Sequence, residues 1–131
     1  MKNKEIIIGV TGGIAAYKAP ELVRIFVRTG SNVKVAMTEN ATWFVGPVTF
    51  EALSGNRVVH DMFDKGTGPI DHITWGQESD LVIIAPATAN FIAKMAHGIG
   101  DDFLSTMVLA TTAEILVCPA MNNHMYENSI T

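Results

Sequence analysis

The amino-acid sequence predicts an α/β fold, a Rossmann-like or flavodoxin-like doubly wound parallel sheet flanked by helices. Short β-branched runs alternate with stretches of helical periodicity, which is typical of parallel strands joined by crossover helices. The chain has 131 residues, enough for one domain with a buried core. Of these residues 48% are hydrophobic and 17% are charged, which suits a globular protein with a buried sheet.

Charge and cysteine content restrict the class of protein. The net charge of -4 weighs against nucleic-acid binding, because such proteins normally carry a basic face. The single cysteine, Cys118, excludes an internal disulfide and suits a reducing cytoplasm. No stretch has the length and hydrophobicity of a membrane span or the pattern of a signal peptide. We therefore expect a cytoplasmic protein that binds neither nucleic acid nor membrane.

The first predicted elements are strands that alternate with helices. Glu5–Val10 is a short β-branched run that predicts a buried strand, and residues 11–13 predict a tight turn. The helical periodicity of residues 14–29 predicts a helix, with Pro20 in the first turn of its main part. Residues 31–37 alternate between polar and apolar types and predict a second strand. The remaining predictions are short helices at 40–44 and 47–53, a strand at 57–60, a loop at 61–71, a strand at 80–85, helices at 90–97 and 101–111, and a strand at 114–118.

Small or polar residues follow four of the predicted strands. In a parallel sheet the ligand lies outside the carboxyl ends of the strands. We therefore expect one crevice with backbone N–H groups and hydroxyls facing inward. The four strand ends are residues 11–13, Thr38, residues 86–90 and residues 119–122.

Glycines and a threonine at these ends have both a binding and a structural interpretation. Gly12 and Gly13 would let a phosphate approach the backbone at a helix N-terminus, although an ordinary strand–helix turn also uses glycine. A dinucleotide site is only weakly indicated, because there is no G-x-G-x-x-G motif. Thr88 and Asn90 could bond a phosphate or a ring edge, whereas Thr88 could equally cap the next helix.

Two further polar residues are candidates for chemistry. His72 follows the predicted loop, and histidine is the natural general base near neutral pH, but a lone histidine is more often a surface or capping residue. Asn122 could hold a carboxylate or amide of a substrate, or it could cap a helix that begins at Asn123. Met125 and the aromatic residue Phe44 are packing residues by default. No spacing of His, Asp or Glu indicates a metal site.

A resemblance to a known family lies in four stretches of sequence. They are GVTGGIAAYKAPELVR, HITW, DLVIIAPATANFIAKMAHGIGDDFLS and CPAMNNHMYEN, and in this order they resemble the flavin-dependent cysteine decarboxylases. They are similar in particular to the phosphopantothenoylcysteine decarboxylase branch. The pairing of PATAN with PAMN, with a histidine upstream, is specific. The resemblance covers essentially the whole chain and implies one FMN-binding domain over residues 1–131, assembled as a homotrimer or trimer-based dodecamer with the flavin at a subunit interface.

The resemblance also assigns roles to individual residues. It implies that His72 is the active-site base and that Asn122 grips the substrate carboxylate. Met125 falls where the family has further substrate contacts. The residues that would hold FMN are Gly12, Gly13, Ile14, Thr38, Phe44, Ala87, Thr88 and Asn90.

The implied reaction is the FMN-dependent decarboxylation of 4'-phospho-N-pantothenoylcysteine to 4'-phosphopantetheine in coenzyme A biosynthesis. In the family the flavin takes a hydride from the cysteinyl side chain, carbon dioxide leaves the resulting thioaldehyde, and an enethiol remains. The hydride then returns to give the product. The family's domain continues beyond PAMN with a flap that carries a proton-donor cysteine. Cys118 precedes PAMN and does not correspond to it, so we expect this chain to lack the flap and leave the reductive step open.

Two alternatives remain at this stage. One is a peptidyl-cysteine oxidative decarboxylase of the same family, which stops at the enethiol; the stretches YKAPELVR and HGIGDD favour the coenzyme A branch instead. The other is a flavin-binding regulatory subunit without turnover. The presence of both His72 and Asn122 favours an enzyme.

Overall fold

The computed structural model describes residues 2–62, 68 and 71–131. Its strands are β1 at Glu5–Val10, β2 at Asn32–Met37, β3 at Leu81–Ala87 and β4 at Glu114–Pro119. They form one sheet in the order β2-β1-β3-β4, and each neighbouring pair runs parallel. The parallel sheet predicted from the alternation of strands and helices is therefore confirmed.

Helices cover both faces of this sheet, as a doubly wound fold requires. The helices are α1 at Ala19–Arg28, α2 at Pro47–Ser54, α3 at Asp71–Glu78, α4 at Ala89–His97, α5 at Phe103–Ala110 and α6 at Asn123–Glu127. Val23 of α1 and Phe50 of α2 are buried in the core on one face. Phe91 of α4 and Phe103 of α5 are buried in the core on the other. None of the helices in the described part of the chain is long and apolar enough to span a bilayer.

Strand β1 lies inside the sheet and is buried on both faces. Ile6, Ile8 and Val10 belong to the core under α1 and α2, whereas Ile7 belongs to the core under α4 and α5. Successive side chains of a strand point to opposite faces, so an interior parallel strand needs a continuous apolar run. Burying one such side chain fully stabilises the fold by about 1.5–3 kcal/mol.

The helix predicted at residues 14–29 is divided into two parts. Ile14–Lys18 form a 3-10 helix, and α1 follows it directly. Pro20 lies in the first turn of α1, as predicted, where its missing N–H costs no helical hydrogen bond. The division leaves the side chains of Ile14 and Tyr17 exposed beside the carboxyl edge of the sheet.

The strand predicted at residues 57–60 is wrong. Only an isolated parallel bridge between Ala36 and Val59 forms there, with Met37 N donating to the Val59 carbonyl at 2.9 Å. Val58 and Val59 are nonetheless buried, at 3% and 4% exposed. A short buried segment outside the sheet therefore shows the same apolar pattern as a short strand.

Helix α3 was not predicted from the sequence, and Asp71, predicted as the end of a loop, is its first residue. Gly76 in its middle weakens the local helical signal. A Cβ on Gly76 would lie 3.0 Å from the Met107 carbonyl oxygen, so the glycine is what allows α3 to pack closely on α5. Tertiary packing thus overrides local propensity here. Most of the predicted loop at 61–71 lies outside the described residues.

Candidate functional site

A cavity of about 900 Å³ opens at the carboxyl edge of the sheet. Its walls are formed by the segments that follow β1, β2, β3 and β4, where the small or polar residues after the strands predicted a crevice. This volume lies within the usual range for small-molecule and cofactor sites. The residues that line it include Thr11, Gly12, Gly13, Ile14, Lys18, Thr38, Asn40, Thr88, Ala89, Asn90, Lys94, Asp101, Asp102, Ala120, Asn122 and Met125.

Eight of the predicted site residues line this one cavity, and three do not. The eight are Gly12, Gly13, Ile14, Thr38, Thr88, Asn90, Asn122 and Met125. Ala87 is fully buried beneath the cavity, and its carbonyl accepts a hydrogen bond from Ala120 N at 3.0 Å. Phe44 is 48% exposed outside it. His72 lies in the first turn of α3, is half-buried, and is not among the residues that line the cavity.

The ends of β1 and β3 are joined through Thr11, which the sequence alone does not single out. Its hydroxyl donates to the Pro86 carbonyl and accepts from Thr88 N at 3.0 Å. Thr11 N also donates to the Pro86 carbonyl, at 3.3 Å. The available sequence signal is a threonine directly after an apolar strand. In the structure Thr11 is only 1% exposed, and a buried hydroxyl needs hydrogen-bond partners.

Gly12 and Gly13 are glycines for different reasons. A Cβ on Gly12 would lie 2.5 Å from Asn40 Cβ, so the chain's own packing requires glycine there. A Cβ on Gly13 would meet only Thr88 Cγ2 at 3.5 Å, an ordinary contact, and its φ of -145° suits any residue. Nothing inside the chain therefore requires glycine at position 13, and the open space above its Cα belongs to the cavity.

Thr88 caps α4, as the structural interpretation predicted. Its hydroxyl oxygen accepts a hydrogen bond from Phe91 N at 3.2 Å. The capped end directs the first N–H groups of α4 and the positive end of its dipole toward the cavity, where Ala89 and Asn90 line the wall. Capping and ligand binding are compatible, because the cap sets the direction of the same N–H groups.

Asn122 also caps a helix. Its Oδ1 accepts from Met125 N at 2.8 Å at the start of α6, so the alternative role predicted for it is confirmed. The residue is exposed, in contrast to the ends of β1 and β3. The cap engages the side-chain oxygen, and Asn122 also lines the cavity.

An ion pair lies at the far side of the cavity. Lys94 Nζ is 2.9 Å from a carboxylate oxygen of Asp101 and 4.0 Å from one of Asp102. The hydrogen bond from Lys94 lowers the pKa of Asp101 below its ordinary value. Asp102 accepts from Ser105 N at 2.7 Å and so caps α5. Within the described residues no group of three or more His, Cys, Asp or Glu side chains could hold a metal ion.

A parallel doubly wound sheet with a cavity across its strand ends, a glycine turn and a capped helix N-terminus define a ligand-binding protein of the flavodoxin-like class. The chain belongs to the Flavoprotein family, whose sequence profile matches residues 1–131.

Curated proteins and solved structures show which members of this family the chain is similar to. The chain is 49% identical over 129 residues to the coenzyme A biosynthesis bifunctional protein CoaBC of Bacillus subtilis (strain 168), covering 98% of this chain and 32% of that protein. It therefore spans about a third of the length of the curated relatives it matches. Among solved structures it is similar to the FMN-dependent cysteine decarboxylase SpaF, with a TM-score of 0.89, 34% identity and coverage of 96% and 73% of the two chains. A PPC decarboxylase mutant complexed with pantothenoylaminoethenethiol aligns with a TM-score of 0.81 and 25% identity, covering 98% and 73%.

Proposed function

We propose that this chain is an FMN-dependent carboxy-lyase that decarboxylates 4'-phospho-N-pantothenoylcysteine to 4'-phosphopantetheine in coenzyme A biosynthesis. The observation that carries the proposal is the single cavity at which the glycine turn, the PATAN segment and the PAMN segment meet. Membership of the Flavoprotein family and the similarity to CoaBC and to PPC decarboxylase support the same activity.

The residues of the inner part of the cavity fit FMN. The space left above Gly13 admits a ligand against the backbone, and the N-terminus of α4 offers N–H groups to an anion. The residues proposed to hold the cofactor are Gly12, Gly13, Ile14, Thr38, Thr88 and Asn90. Bound there, FMN would supply a hydride acceptor for the substrate's cysteinyl side chain.

The substrate would lie on the side of the cavity formed by the segment after β4. The amide NH₂ of Asn122 would donate to a carboxylate while its oxygen caps the first turn of α6. Met125, one turn further along α6, would pack against the substrate body. Binding the carboxylate at Asn122 would orient the cysteinyl carbon toward the inner wall of the cavity, residues 11–13 and 86–90, where the cofactor would lie.

His72 is proposed to act as the base from a neighbouring copy of the chain. This is supported by its absence from the residues that line the cavity of its own chain. Exposed apolar side chains near the cavity favour association, because Tyr17 is 64%, Trp43 83% and Phe44 48% exposed. We propose a cytoplasmic homotrimer or trimer-based dodecamer in which this surface is covered and His72 and Phe44 reach the flavin site. The imidazole would take the proton of the cysteinyl thiol.

The visible absorption spectrum of the purified chain tests the cofactor directly. We expect a flavin spectrum, and a chromophore released by heat that behaves as FMN. Size-exclusion chromatography with light scattering would measure the assembly in the same sample. A colourless protein that cannot be loaded with added FMN would contradict the proposal.

Replacing His72 separates an enzyme from a flavin-binding subunit. For His72→Asn we expect FMN to remain bound while decarboxylation falls by about 10²–10⁴-fold, because the base is lost and the cavity is intact. Turnover is measured as release of carbon dioxide, and the mass of the product distinguishes enethiol from 4'-phosphopantetheine.

The matched control is His97→Asn, which changes an exposed histidine at the end of α4 and should leave turnover at the wild-type level. A wild-type protein that binds FMN but decarboxylates neither this substrate nor a peptide with a C-terminal cysteine would support the regulatory alternative. Turnover of the peptide alone would place the chain in the peptidyl-cysteine branch.

A further inference from the structure

The regular pairing of β1 with β3 stops short of the cavity. The last pair of the ladder is Gly9 with Ile84, and the register of β3 against β4 shifts between Ile84 and Ala87. Pro86 lies inside this irregular stretch and has no N–H to donate to a ladder. The two strand ends that form the inner wall therefore need another connection.

Thr11 supplies that connection with three hydrogen bonds. Its N–H and its hydroxyl both donate to the Pro86 carbonyl, and its hydroxyl oxygen accepts from Thr88 N at 3.0 Å. The hydroxyl thus takes the place of a backbone group on both sides of the irregularity. Thr11 is only 1% exposed, so these bonds are shielded from competing water.

What Thr11 holds is the start of α4. Thr88 N donates to the Thr11 hydroxyl, and the Thr88 hydroxyl caps the helix by accepting from Phe91 N at 3.2 Å. Ala89 and Asn90, the next two residues, line the cavity. A displacement of Thr88 N would therefore move the N–H groups that face a ligand.

We propose that Thr11 is a positioning residue, whose buried hydroxyl sets the place of Thr88 and of the α4 N-terminus for the ligand. The ligand part of this inference rests on the proposed function, in which that ligand is FMN. Thr11 also lines the cavity, but its side chain is buried and its hydroxyl is already engaged by two backbone partners, so it acts through Thr88.

The test compares Thr11→Val, Thr11→Ser and Thr111→Val in the full chain. Valine keeps the shape of threonine and removes the hydroxyl, whereas serine keeps the hydroxyl. Thr111 is a matched control, because its hydroxyl also bridges a carbonyl and an amide, donating to Gly76 O at 2.7 Å and accepting from Ala113 N at 3.1 Å. It is not among the residues that line the cavity.

Three quantities are measured for each variant: the thermal midpoint, the dissociation constant for added FMN, and the exchange rate of the Thr88 amide without ligand. Both valine variants should lower the midpoint, because each leaves partly buried backbone groups short of a partner. Only Thr11→Val should weaken FMN binding, by about tenfold, and speed Thr88 exchange beyond the change in global stability. Thr11→Ser should restore both values.

Equal FMN affinity in Thr11→Val and Thr111→Val would overturn the inference and leave Thr11 a structural residue. A wild-type chain that binds no FMN would overturn the proposed function instead. The positioning of Thr88 by Thr11 is then tested by the exchange rate of the Thr88 amide alone. Faster Thr88 exchange in Thr11→Val than its loss of global stability explains supports the positioning role, whereas exchange that follows global stability in both valine variants overturns it.

Discussion

The two sides of the cavity are built differently, although their sequences look alike. The inner wall consists of residues 11–13 and 86–90, and the outer wall of residues 119–122. Both end in a helix cap, by Thr88 and by Asn122. In the inner wall Thr11 and Ala87 are buried, and side-chain and backbone hydrogen bonds join the ends of β1 and β3. In the outer wall Pro119 and Asn122 are exposed and the two residues between them are partly buried. Ala120 N joins this wall to the inner one by donating to Ala87 O at 3.0 Å.

This difference follows from the place of each strand in the sheet. Strand β3 has a partner on either side, whereas β4 lies at the edge of the described sheet. Ile115 and Leu116 of β4 are 36% and 52% exposed, while Ile83 and Ile84 of β3 are almost fully buried. In the proposed function, the more extensively hydrogen-bonded inner wall would hold the cofactor, and the outer wall would bind a substrate that must enter and leave.

The largest expected effect comes from adding one methyl group to the inner wall at Gly12. Gly12→Ala should lower the free energy of unfolding by about 1–3 kcal/mol, because the new Cβ meets Asn40 Cβ and backbone at 2.5 and 2.9 Å. Gly13→Ala is the matched variant and should stay within about 0.5 kcal/mol of wild type. It should nevertheless weaken FMN binding, because its methyl group enters the cavity. Urea unfolding and FMN titration measure the two effects.

Equal loss of stability in both alanine variants would contradict the distinction between the two glycines. Unchanged FMN affinity in Gly13→Ala would remove the main steric argument for a ligand against this turn.

A smaller effect is expected from removing each cap. Thr88→Ala should cost about 1 kcal/mol of stability and also weaken FMN binding, because the cap orients N–H groups at the inner wall. Asn122→Ala should cost about 0.5 kcal/mol, because α6 has five residues and is exposed. It should leave FMN affinity unchanged while it abolishes substrate binding. Thermal unfolding, FMN titration and substrate titration separate the walls; loss of FMN from Asn122→Ala would show that they do not act independently.

The smallest effect concerns the ion pair between Lys94 and Asp101. The pKa of Asp101 is lowered, so its contribution to stability is present above the ordinary value of 3.8 and is lost as pH falls through the lowered one. The thermal midpoint of wild type should therefore exceed that of Asp101→Asn slightly at about pH 6, and the difference should shrink toward about pH 3. The effect is small because the Asp101 side chain is 57% exposed and its charge is screened by solvent. A pH-independent difference would exclude the ion pair as its cause.

Predictions made from local patterns succeeded where one element carried the whole signal. The apolar run of β1 and the first-turn position of Pro20 depend on neighbouring residues alone, and both are confirmed. The strand predicted at residues 57–60 was wrong and helix α3 was missed, because tertiary packing determines the structure of both segments. Val59 is buried with a single bridge, and Gly76 is tolerated in a helix because α5 approaches its backbone.

The candidate site divides in the same way. The polar ends of parallel strands must meet at one edge of a sheet, so the sequence by itself determined that residues 11–13, 86–90 and 119–122 converge. The sequence also determined the caps at Thr88 and Asn122, which are local interactions. Only the tertiary structure decided that Thr11 joins β1 to β3 and that His72 is not among the residues that line the cavity. It also decided that Asn40 leaves no room for a side chain at Gly12, whereas Gly13 faces open space. These features depend on contacts between residues far apart in the chain, and no local pattern encodes the distance between them.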